Sequence, residues 1–257
     1  QTTRHRILGI KTLPEGQSIY VDTPGLHGDE KKALNRYLNR TAKNSLFGVD
    51  LVLWITDKPR WHAFDAMILA MLEKVEVPVL FVINKIDRIA CKEVYLPFLK
   101  EASERFGFSS IVLVSALKGT NLDVLERNIF EALPPGDPVF SEDQISDRSE
   151  RFFAAEIVRE KLIRGLAKEL PYEITVEIER FVDQQDLLSL NALIWVERES
   201  QKSIVIGKDG RVLKMIGQQA RHDLEKMLGK KVYLELWVKV KRGWSDDERA
   251  LQSLGYN

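Results

Sequence analysis

Val79-Leu80-Phe81-Val82-Ile83-Asn84-Lys85-Ile86-Asp87 joins an apolar run to a polar turn, and the fold follows from that join. Five consecutive apolar residues predict a strand buried on both faces, as in a parallel sheet covered by helices. The polar turn then lies at the strand's C-terminal end, where open parallel sheets bind ligands. An aspartate there can accept from the N1–H and 2-amino group of guanine, donors that adenine lacks, while the stem of Lys85 covers the ring face. A buried carboxylate deprived of those donors is costly, so Asn84-Lys85-Ile86-Asp87 selects guanine sharply.

Working outward, further strands are expected at Ser18 to Val21, Leu51 to Ile55 and Ile111 to Val114. Helical patterns alternate with them near Lys31 to Ser45, Ala63 to Glu73, Tyr95 to Phe106 and Leu122 to Ala132. This alternation predicts an α/β domain with a mostly parallel sheet. Ile7 to Leu13 reads as an edge strand hairpinned through Pro14-Glu15-Gly16. Two more motifs fall at strand ends. Asp22-Thr23-Pro24-Gly25 follows Ser18 to Val21: its carboxylate can hold Mg²⁺, usually through water, and its glycine lets a backbone amide approach a γ-phosphate. Ser115-Ala116 follows Ile111 to Val114, where the Ala116 amide can donate to guanine O6.

The chain has 257 residues, 44% hydrophobic and 30% charged, enough for two domains. Its 38 Lys and Arg balance 38 Asp and Glu, which excludes nucleic-acid binding by bulk basicity, so any basic footprint must be local. No apolar run reaches the ~20 residues that span a bilayer. The single cysteine, Cys91, and the absence of a leader point to a reducing cytosol. Four scattered histidines make a protein-only zinc site improbable.

A break in character comes at Pro134-Pro135-Gly136-Asp137-Pro138 and the polar residues that follow. The boundaries expected are a nucleotide domain over 1–136, a linker over 137–146 and a second domain over 147–257 with its core at about 162–240. The order expected beyond the linker is helix (Asp147 to Lys168), strand (Tyr172 to Phe181), strand (Ala192 to Glu199), two helices and strand (Val232 to Val240). Between the two helices stands Ile206-Gly207-Lys208-Asp209-Gly210-Arg211, with Lys214 one turn on. Gly-x-x-Gly lets backbone approach backbone, and the second helix aims its N-terminal amides at phosphates. Eleven Lys and Arg against four acids between Lys202 and Arg242 form the local patch that the neutral total demanded.

The glycine turn with its flanking Ile204-Val205-Ile206 and basic second helix resembles the KH signature, which holds roughly four single-stranded nucleotides. The preceding helix and strand resemble the type II, bacterial form. The three strand-end motifs together resemble a translation-factor-class GTPase. A P-loop NTPase-type sheet followed by an α+β type II KH domain resembles the bacterial Era family. Gln1-Thr2-Thr3-Arg4-His5-Arg6, Leu26-His27, Glu169-Leu170-Pro171-Tyr172 and Ser253-Leu254-Gly255-Tyr256 carry the resemblance to both ends of the chain.

That resemblance implies a protein that binds GTP and GDP with Mg²⁺ and hydrolyses GTP. Thr3, or alternatively Thr2, would be the magnesium-sensing switch threonine, about twenty residues before Asp22, and Thr3 and Asp22 would be the magnesium ligands. The KH domain would hold the 3′ end of 16S ribosomal RNA and assist 30S subunit assembly. A monomer in the cytoplasm, partly peripheral to the inner membrane, is further implied. Two departures stand out. No Gly-x-x-x-x-Gly-Lys-[Ser/Thr] occurs among fifteen glycines, so the first strand, the phosphate loop and the first helix are expected in about forty residues upstream, and the fragment alone is expected to be inactive. Leu26 stands where many GTPases place a water-orienting glutamine, leaving no catalytic side chain assignable. The alternative is a non-catalytic RNA-binding adaptor with a degenerate or truncated nucleotide domain.

Overall fold

The computed structural model describes residues 3–26, 32–89, 92–166, 173–254 and 256. Strands β1 (Ile7–Leu13) and β2 (Gly16–Asp22) form a hairpin around Pro14-Glu15. Strands β3 (Val52–Thr56), β4 (Val79–Ile83) and β5 (Ser110–Leu113) form a parallel sheet with β4 in the middle, Thr56 opposite Ile83 and Ile83 opposite Leu113. Every residue of β4 is buried, as an unbroken apolar run demands. One face of β4 packs Phe81 against Trp54, Tyr95 and Phe98; the other sets Val82 beside Val112 and Val114. Helices α2 (Ala63–Leu72), α3 (Tyr95–Arg105) and α4 (Leu122–Ala132) supply the cover. The motifs at 84–87 and 115–116 therefore emerge from adjacent strand ends.

The C-terminal part runs α5 (Glu150–Gly165), β6 (Thr175–Gln184), β7 (Leu187–Val196), α6 (Glu199–Ile206), α7 (Arg211–Leu228), β8 (Lys231–Val240), then α8 (Glu248–Ser253). The Ser149 hydroxyl starts α5 by accepting from the Phe152 amide. Central β7 is antiparallel to β6 and parallel to β8. The helices cover one face, where Leu162, Leu190, Ile194, Val205, Ile216 and Leu224 are fully buried. Strand β7 starts five residues before the expected Ala192. Leu188 and Leu190 alternate inward, and the pairing continues to Gln184 opposite Leu187, closing a hairpin over Gln185-Asp186.

Contact density divides the chain into one unit of residues 1–9, 21–42 and 145–257 and another of 10–20 and 43–144. The polar stretch ends where the larger unit resumes at Ile145, but that unit also takes two N-terminal pieces. Helix α1 (Ala33–Asn44) contributes Ala33, Leu34, Tyr37 and Leu38 to a buried cluster with Trp244, Ala250, Leu251 and Tyr256. Arg4, wholly buried, donates to the Ile174 carbonyl at 2.7 Å and to the Tyr256 hydroxyl at 3.3 Å. The His5 ring stacks on Tyr256 with 4.6 Å between centroids. Burial pushes the His5 pKa down to about 4 against the opposing pull of Glu156, so this imidazole is neutral at physiological pH. Linear sequence spacing carries no trace of either piece's destination.

Candidate functional site

The residues expected to read guanine come together at the C-terminal ends of β4 and β5. Asn84 extends the β4 ladder, its amide donating to the Thr56 carbonyl at 2.7 Å. Its side-chain carbonyl accepts from the Lys85 amide at 2.7 Å and from the Ala116 amide at 3.0 Å, tying the two loops. The amide expected to face guanine O6 is thus occupied by Asn84 here, and an incoming base must share or displace that bond. Lys85 takes a left-handed conformation at φ 64°, and Ile86 tucks into the core. Asp87 accepts from the fully buried Ser115 hydroxyl at 2.5 Å, a bond that holds its carboxyl below the usual range. The carboxylate expected to face a base is thus charged and oriented by Ser115.

Sequence reasoning missed Asp57, the first residue beyond β3. Its carboxylate meets the Lys85 ammonium at 2.8 Å and is held below its usual pKa by that contact. A lone acid after a strand carries no signature; the partnership exists because β3 and β4 are parallel neighbours. With its tip anchored, the lysine stem is fixed where the ring would lie. Asp57→Ala is expected to speed GDP release about three- to tenfold through lost preorganisation. Its melting temperature should hardly move, because both side chains are about 40% exposed, 43% and 40%, and such pairs contribute little to stability. Release of a fluorescent GDP derivative and a thermal melt read the two effects separately.

At the end of β2, the Thr3 hydroxyl donates to the Asp22 carboxylate at 2.9 Å. A hydroxyl and a carboxylate oxygen so close are a hard-oxygen pair of the kind Mg²⁺ takes alongside water and phosphate oxygens. Thr23 to Leu26 continue without regular structure. Pro24 is buried and Gly25 is open, with nothing within 4 Å of where a Cβ would stand. Thr2, the alternative switch threonine, lies outside the described residues.

The Gly-x-x-Gly turn links α6 to α7. Gly207 (φ 73°, ψ 173°) and Gly210 (φ 74°, ψ 9°) bracket exposed Lys208 and Asp209. Ile206 ends α6, and Arg211 and Lys214 project from the first turns of α7 into solvent. Beside the turn runs a groove of about 410 Å³ walled by Leu213, Lys214, Gly217, Gln218 and Arg221 of α7 and by Leu234 and Leu236 of β8. Polar residues on an apolar floor suit bases held between edges and faces. Sequence reasoning expected a groove adjoining the clamp but named only the residues of the turn and its basic rim. The steps of three and four between Lys214, Gln218 and Arg221 were the available signal for the wall.

Residues 169–245 match the family model described as a KH domain, and residues 1–85 match that of a 50S ribosome-binding GTPase. The chain is 55% identical over 256 residues to GTPase Era of Pseudomonas aeruginosa, covering 100% of this chain and 84% of that one. It is 52% identical to GTPase Era of Xanthomonas oryzae pv. oryzae, covering 86% of that protein. Among solved structures, Aquifex aeolicus Era bound to GDP and AlF₄⁻ superposes with a TM-score of 0.95 at 40% identity, over 99% of this chain and 87% of that one. Era in complex with MgGDPNP and nucleotides 1506–1542 of 16S ribosomal RNA matches with the same score, identity and coverage.

Proposed function

The chain belongs to the Era family of GTPases, and from that premise we propose how its residues divide the work. It is a GTPase that uses Mg²⁺. Asn84, Lys85, Ile86, Asp87, Ser115 and Ala116 form the guanine site; Thr3 and Asp22 hold the magnesium ion, and the backbone of Thr23 to Leu26 faces the γ-phosphate. Magnesium bound there would neutralise charge on the transferred phosphoryl group. Leu26 has no polar group to orient the attacking water, which falls to backbone, a residue outside these 257, a monovalent cation or a partner. One observation carries the guanine assignment: Asn84 and Asp87 each bond a residue of the neighbouring loop, Ala116 and Ser115, and thereby fix a single carboxylate.

The residues from Ile206 to Lys214 clamp single-stranded RNA, and the 3′ end of 16S ribosomal RNA is its target, as in the relative solved with that RNA. Domain limits of 1–136 and 147–257 remain the working division by function. Assistance to 30S assembly, a monomeric state and a cytoplasmic site with a peripheral inner-membrane share are supported by the family resemblance alone.

The test is a pair of titrations on protein extending over the full length of its relatives, since no phosphate loop lies within these 257 residues. With Mg²⁺, GTP is expected to bind at least about 100-fold tighter than ATP. A 16S 3′-end oligonucleotide is expected to bind tighter with a non-hydrolysable GTP analogue than with GDP. Equal binding of GTP and ATP would overturn the guanine site; absence of RNA binding in both states would overturn the clamp.

A further inference from the structure

Among the described residues, the helices pack on the face of the β6-β7-β8 sheet that carries Leu190, Ala192, Ile194 and Val238, and Leu193, Trp195, Tyr233 and Trp237 lie on the other. On edge strand β8 the side chains alternate: Leu234 and Leu236 turn inward to the groove, while Tyr233 and Trp237 turn outward and are 52% and 57% exposed. Next to them on β7, Trp195 and Leu193 stand opposite Lys239 and Trp237. Leu193, paired with Trp237 on one side and with Glu177 on the other and followed on the same face by Trp195, is buried to 1%. The ammonium groups of Lys241 and Lys239 sit 5.6 and 6.0 Å from the centre of the Trp195 ring. Large exposed aromatics beside cations, on an open sheet, are the surface on which unpaired bases stack.

We propose that Trp237 and Tyr233 stack bases of the RNA that leaves the groove and turns around the β8 edge. This rests on the clamp assigned above. The groove and the aromatic face are the two sides of one edge strand, so a single-stranded chain passing that edge meets both. A KH clamp accommodates roughly four nucleotides, while the RNA in the related complex spans nucleotides 1506–1542, so flanking residues need a resting place. The chemistry of the face decides how they rest. Its carboxylates, Glu177 bonded by the Trp195 indole, Glu235 by the Tyr233 hydroxyl and Glu179 paired with Lys239, at least balance the charges of Lys239 and Lys241, so the face has no surplus of positive charge. The platform therefore holds base rings and adds little to phosphate neutralisation.

The experiment compares two single-stranded 16S 3′-end oligonucleotides on the full chain, one of about five nucleotides and one of about twelve. Trp237→Ala is expected to bind the longer RNA about tenfold more weakly while binding the shorter one like the unaltered protein. Trp237→Phe is expected to restore most of the loss, and the salt dependence of binding should be unchanged, because no phosphate contact is removed. Equal affinity of Trp237→Ala and unaltered protein for the longer RNA would overturn the proposal. So would an equal loss on both RNAs, or a shallower salt slope. A Lys208→Ala, Arg211→Ala variant is the separate control: if it binds both RNAs normally, the clamp itself is wrong, whatever Trp237 does.

Discussion

Asp87→Asn is expected to lower GTP affinity at least about 100-fold and to raise affinity for xanthosine triphosphate by a comparable factor. On the proposed assignment the carboxylate at this position would accept twice, from guanine N1–H and from the 2-amino group, and each hydrogen bond to a charged group contributes ~1.5–3 kcal/mol. A carboxamide keeps one acceptor and replaces the other by an N–H₂ donor, which is repelled by the guanine amine and matched by the xanthine oxygen. Nothing else need change, since the amide oxygen can still accept from Ser115 as the carboxylate does now. Competition titrations with GTP, xanthosine triphosphate and ATP read the swap, and circular dichroism checks the fold. If the variant keeps its preference for GTP over xanthosine triphosphate, Asp87 does not read the base.

Gly207→Ala is expected to destabilise the RNA-binding part by about 2–4 kcal/mol and to abolish measurable RNA binding. At φ 73° and ψ 173° this residue occupies a region essentially reserved for glycine. A Cβ there would stand 2.4 Å from Val212 Cγ2, 2.8 Å from its Cβ and 3.1 Å from its backbone nitrogen. Val212 is in the first turn of α7, so relief requires the helix itself to shift, and with it the N-terminal amides proposed to face phosphate. Gly210 offers the contrast, with nothing within 4 Å of its missing Cβ and an ordinary left-handed conformation. Gly210→Ala should cost only about 1 kcal/mol. Thermal melts of the two variants, alongside Lys208→Ala, Arg211→Ala as a folded non-binder, separate lost stability from lost contact. Equal melting temperatures for Gly207→Ala and Gly210→Ala would show that the crowding at Val212 is relieved without cost.

What the sequence displayed were the places where an apolar run stops and chemistry begins. Val79 to Ile83 breaking at Asn84, Ser18 to Val21 breaking at Asp22, and Ile206 breaking at Gly207 are local events, and local patterning is what a chain shows without folding. Partnerships between remote segments were hidden. Asp57 acquires meaning only when β3 lies beside β4. Leu234 and Leu236 lie within the expected strand Val232 to Val240, and only the packing of α7 turns them into a groove floor. The early start of β7 was masked because Leu187 to Asn191 lacks the β-branched density of Ile194-Trp195-Val196, and its strand state comes from pairing with β6. The fate of α1 was the least legible, since its apolar stripe fits many surfaces equally and the tail around Trp244 happens to complete it.

Arg4 gives the molecule a mechanical property. It is one peptide bond from Thr3, so the two Cα atoms stay ~3.8 Å apart whatever either side chain does. The guanidinium at the far end is moored to Ile174 and Tyr256, and drawing it out would strand a buried carbonyl without its donor, which no partial displacement avoids. Thr3 is therefore the immediate chain neighbour of a buried anchor, and a movement of the segment large enough to extract the guanidinium would cost the Ile174 carbonyl this donor.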